Sequence, residues 1–155
     1  MKIYISYFNN IRHFNKYDIP LSTAMWDPKW FTHHIDKNGV INGLKCTPLI
    51  MDWEKWSQLC IDGEECRKDC QFKHGSCKFE QVYYEHLKTV KIKALLGWFQ
   101  AICYKVAELN NDDIEKFRIV LIVHEPPTRD CAERPVIMKW FKENNIDIEE
   151  WRQDL

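Results

Sequence analysis

A chain of 155 residues is most simply one domain, long enough to bury a single core. Hydrophobic residues make up 45% of it and charged residues 29%, a balance that excludes disordered and fibrous classes. The formal charge of -1 excludes a general pull toward nucleic acid or anionic membrane, but leaves room for a local basic patch. No apolar run reaches the length of a membrane span. The opening MKIYISYF lacks the apolar stretch and cleavage site of a signal peptide, so the expected location is the cytoplasm. Seven cysteines in that reducing compartment are not expected to form a disulfide framework.

In chain order, Met1 to Tyr7 alternates around Ile3 and Ile5 and ends at the turn signal Asn9-Asn10, which predicts a strand. Ile19 to Trp26 is a second strand candidate, closed by Asp27-Pro28, and a short helix is expected from Pro28. Thr47 as cap and Pro48 in the first turn predict a helix to about Leu59. Phe79 to about Asn110 carries apolar residues at helical spacing, as two helices or one bent one. Phe117 to His124 is the clearest buried strand, because its apolar residues are consecutive. A last helix is predicted from about Ala132 to Asn144, with a short strand at Ile146–Ile148. Strands separated by helices argue for a single small α/β domain with a mainly parallel sheet flanked by helices.

Residues 60–78 differ in kind, with four cysteines, two glycines and eight charged residues. Cys60, Cys66, Cys70 and Cys77 suit a tetrahedral zinc ion, which would order a segment that has little to pack. His74 is an alternative ligand. Free thiols and an iron–sulfur cluster remain open readings of the same spacing. A closed four-cysteine site would be structural, leaving no coordination position for chemistry.

The stretch IVLIVHEPPTRDCAERPVIMKWF runs from a buried strand into a helix. In parallel α/β folds ligands sit at such carboxyl ends, where the next helix directs its free N–H groups at them. His124 and Glu125 stand at the strand end as candidate acid and base, and Arg134 in the helix's first turn suggests an anion. Cys131 lies near Arg129 and Arg134 at the helix start, where a thiol becomes more acidic. Only two residues separate Cys131 from Arg134, too few for a phosphatase loop. The plainer alternatives are Asp130 as N-cap with Glu133 completing a capping box, and Arg134 paired with Glu125.

SYFNNIRHF, LSTAMWDPKWF and VLIVHE…CAERPVIMKWF together resemble the family called domain of unknown function 488, small α/β proteins of bacteria and phages. The resemblance covers both ends of the chain and leaves its middle unmatched. It implies functional positions at Ser6, Tyr7 and Asn10, at Pro28 and Trp30, and at Glu125 and Arg134. Counted back from Trp140, Arg134 matches the family arginine, while Glu133 and Ala132 replace the family's His and Cys.

Three functional readings follow. The first is a binding protein for a phosphorylated, nucleotide or nucleic-acid ligand. Arg12, His13 and Arg134 would meet the anion, and Tyr7, Trp26 and Trp30 would stack on a base. The second is an enzyme acting on a nucleotide or glycosidic bond, with Glu125 as base or nucleophile and His124 or His13 as acid. The third is an interaction protein of the phage-inhibitor kind, which would need an exposed aromatic patch.

Overall fold

The computed structural model describes residues 1–51, 54, 78–124 and 133–155. The strands are β1 (Ile3–Tyr7), β2 (Asp18–Ser22), the short pair β3 (His34–Ile35) and β4 (Ile41–Asn42), β5 (Arg118–Val123) and β6 (Glu149–Glu150). The helices are α1 (Lys78–Lys88), α2 (Ile92–Asn110) and α3 (Glu133–Glu143), with a 3₁₀ helix at Phe8–His13. Among the described residues, no helix is long and apolar enough to cross a membrane.

The main sheet is parallel, in the order β2-β5-β1-β6. β5 lies at its middle because Ile119 to Val123 are all buried, and only a strand covered on both faces accepts such a run. Side chains alternate along a strand. Ile5, Leu21, Leu121 and Val123 therefore face the helical side, with Leu95 and Phe99 of α2 and Ile137 and Phe141 of α3. Tyr4, Val120 and Ile122 face the other side, under Phe8, Ile11 and Phe14, the loop residues Phe31 and Val40, and Trp151. The expected small α/β domain with a mainly parallel sheet is thus found.

Several boundaries differ for local reasons. β2 stops at Ser22, because the Ser22 hydroxyl donates to Asp27 and turns the chain back. After Pro28 the chain makes a turn closed by Phe31 N–H on the Pro28 carbonyl, not a helix. Thr47–Leu49 is one 3₁₀ turn, with Cys46 rather than Thr47 at the cap position. Tyr83 Oη then donates to the Leu49 carbonyl at 2.6 Å, and Ile50 is extended. The rest of the predicted 47–59 helix falls largely outside the described residues.

The predicted 79–110 helical region is two helices. At their junction the Thr89 hydroxyl bonds the His86 carbonyl at 2.6 Å, competing with the helical ladder. Ile146 does not open a strand. Asn145 is left-handed at φ 62°, and the Ile146 N–H reaches back to the Phe141 carbonyl at 2.9 Å. That pattern is a Schellman cap on α3, and it delays the last strand to Glu149–Glu150. Cys46 and Cys103 are buried, and burial pushes their thiols up to about 12 and about 11, so both are protonated and unreactive at neutral pH.

Candidate ligand-binding face at the carboxyl ends of the strands

β1, β2 and β5 end side by side, with Ser6 and Ser22 flanking Ile122 in register. Ser6 is buried and its hydroxyl accepts from Asn10 Nδ2 at 2.9 Å, which fixes the 3₁₀ helix to the strand end. Ser22 Oγ also accepts the Ala24 N–H at 3.2 Å. Asp27, which takes the Ser22 hydroxyl, pairs with Lys45 at 3.3 Å as well. These bonds hold a tight loop that projects Trp26 outward, 54% exposed.

The Trp26 carbonyl lies 2.5 Å from His124 Nε2. A carbonyl can only accept, so that ring nitrogen carries the proton. The His124 ring packs on Phe8 at 5.1 Å between centroids. Phe8 also meets Trp30 and Phe31 edge-on, at 6.2 and 5.3 Å. Trp30 is nevertheless 47% exposed. One aromatic network at the carboxyl edge therefore supports the Trp30 indole and, through the Trp26 carbonyl, the backbone of the loop that carries the second exposed indole. Such exposed rings offer planar surfaces to a ligand.

The other predicted residues divide. Tyr7 is half-buried at the end of β1. Arg12 and His13 lie at the far end of the 3₁₀ helix, where Arg12 Nε donates to His13 Nε2 at 3.2 Å. Arg134 sits on the opposite, helical side of the sheet, only 6% exposed and ion-paired with Glu150 of β6. Burial pushes the Glu150 carboxyl up, and the Arg134 guanidinium pulls it partly back. Glu133, at the start of the same helix, accepts from the Thr23 hydroxyl at 3.4 Å. The anion expected at Arg134 meets an arginine already neutralised by a carboxylate. Glu125, Cys131 and the proposed metal ligands Cys60, Cys66, Cys70 and Cys77 lie outside the described residues.

Sequence reasoning missed a basic bias in the first third of the chain. Residues 1–51 hold six Lys and Arg against three Asp, although the whole chain is near neutral. Asp18 is buried, Asp27 is bonded as above, and Asp36 accepts the N–H groups of Asn38 and Val40 at 2.8 and 3.1 Å. The acids thus point into the structure, while Arg12, Lys29, Lys37, His33 and His34 are exposed. Asn38 Nδ2 donates to the Arg12 carbonyl at 3.2 Å, which joins the Asp36–Gly39 turn to the 3₁₀ helix. A separate count of charge over this stretch was the signal available in the sequence. A cavity of about 860 Å³ opens at the amino end of the sheet, lined by Tyr17, Cys103, Lys116 and Arg118, and none of the predicted site residues reaches it.

The fold and this face define a parallel α/β domain with two exposed indoles at its carboxyl edge. No family model, curated protein or solved structure matches the chain.

Proposed function

We propose that this domain binds single-stranded nucleic acid, stacking bases on Trp26 and Trp30 and meeting phosphates with Arg12, Lys29 and Lys37. The observation that carries the reading is the pair of half-exposed indoles at the carboxyl edge, Trp30 packed on Phe8 and Trp26 on the loop whose carbonyl meets His124. Stacking accepts any base, since every base has a π-face, and cations beside it follow the backbone. Arg12 stands on the 3₁₀ helix, Lys37 on the turn joined to it and Lys29 beside Trp30, a spread that suits a strand with repeated phosphates better than one small anion. Membership in the domain of unknown function 488 family is likewise proposed, on the terminal motifs. So is a structural zinc on Cys60, Cys66, Cys70 and Cys77.

Anisotropy titration of a labelled single-stranded oligonucleotide against salt tests this reading. Binding is expected to weaken as salt rises, with each phosphate contact adding about 0.7 to the slope of log affinity against log salt. Arg12→Ala with Lys37→Ala should lower affinity for all sequences alike and flatten the slope by roughly 1.4. An unchanged slope in the double variant would remove these two residues from the proposal. No binding at low salt would remove the proposal itself.

A further inference from the structure

Helix α2 buries Leu95, Phe99, Cys103 and Val106 against the sheet. Its opposite face presents Gly97, Trp98, Ala101 and Tyr104 to solvent, at spacings of one, three and three residues that form a continuous stripe. Tyr104 is 63% exposed, and Trp98, beside a cavity lined by Pro48, His86 and Val90, is still 38% exposed. A side chain built at Gly97 would meet nothing within 4 Å, so the space above it is open. Among the described residues, Lys93, Lys105 and Glu108 on the same face have no ion-pair partner.

We infer that this face is a dimer interface, on which α2 packs antiparallel against α2 of a second copy about a two-fold axis at Ala101. The order of residues is self-complementary in that arrangement and in no parallel one. Lys93 comes opposite Glu108 of the second copy, and the symmetry repeats the pair. Gly97 comes opposite Tyr104, whose ring takes the volume a side chain would otherwise fill. Trp98 comes opposite Lys105, placing an ammonium group against an indole face. In helical projection the two members of each pair lie on the same side of the stripe, as a two-fold between antiparallel helices requires. Gly97 and Ala101 allow the axes to approach to the close end of the usual range of roughly 8–10 Å. The interface lies on the helical side of the sheet, so it leaves the Trp26–Trp30 face of each copy open and does not depend on the function proposed for it.

Sedimentation velocity of the full chain over a concentration series reads the result. A reversible monomer–dimer equilibrium is expected, with a Kd on the order of micromolar. Ala101→Glu sets two carboxylates face to face at the axis and should raise Kd at least about tenfold. Because Ala101 is exposed, thermal unfolding of the dilute variant should match wild type. Lys93→Glu alone should weaken association several-fold, as exposed ion pairs are modest. Adding Glu108→Lys should restore it, which no loss of folding could mimic. A wild-type chain that sediments as an 18.7 kDa monomer up to about 1 mM would overturn the inference. So would a dimer that ignores Ala101→Glu.

Discussion

Asp18→Ala is expected to cost on the order of 3 kcal/mol, a large share of the roughly 5–15 kcal/mol that holds a domain together. Asp18 opens β2 and is 1% exposed. Its carboxylate takes the Arg118 guanidinium of β5, the Trp151 indole N–H at 2.9 Å and the Asn15 N–H at 3.0 Å. One carboxylate thereby ties the β2 edge of the sheet to its centre and to the residue that follows β6. Truncation would strand a largely buried cation and an indole N–H, and the penalty for orphaned groups exceeds the worth of the bonds themselves. The lost midpoint should be near 10 °C, since a domain of this size shifts by about 2–4 °C per kcal/mol. Asp18→Asn keeps one acceptor oxygen, enough for the Trp151 side or for the Asn15 N–H but not for both, and should lose less. Calorimetry showing the alanine variant within two or three degrees of wild type, on the order of 1 kcal/mol, would contradict this account of the sheet.

The largest expected effect on function is that of Trp26→Ala combined with Trp30→Ala. Base stacking on an aromatic ring is worth about 1–3 kcal/mol per base. Loss of both rings should therefore weaken oligonucleotide binding on the order of a hundredfold or more. Neither ring is core, with 54% and 47% exposure, so folding should persist; far-ultraviolet dichroism would check it. Trp30→Phe preserves a stacking face and the edge contacts to Phe8 and Phe31, and should recover most of the affinity that Trp30→Ala loses. Equal affinity in wild type and the double alanine variant would mean that stacking plays no part.

What the sequence disclosed follows from the range of each interaction. The consecutive apolar residues of β5 and the helical spacing in α2 are local, and both elements lie close to where pattern alone puts them. Ends depend on particular bonds. The Ser22–Asp27 hydrogen bond shortens β2, and the left-handed Asn145 moves Ile146 from a strand into a helix cap. Pairings between distant residues were hidden altogether. Arg134 invited an anion because its partner, Glu150, reaches it only through the β6–β1 pairing. Asp18 gave no sign of its role, since Arg118 and Trp151 lie 100 and 133 residues away. The indoles were ambiguous for the same reason. Core or surface was decided by the loop that Asp27 closes, and no periodicity encodes that choice.

The carboxyl edge of the sheet, on its non-helical side, is the proposed ligand-binding face. Mapping amide chemical-shift changes as a short single-stranded oligonucleotide is added tests it most directly. The account predicts shifts that saturate around Trp26, Lys29, Trp30 and His124 and extend along Phe8–His13 to Lys37. Shifts confined to α2, to the cavity beside Tyr17 and Lys116, or found nowhere at saturating ligand would contradict it.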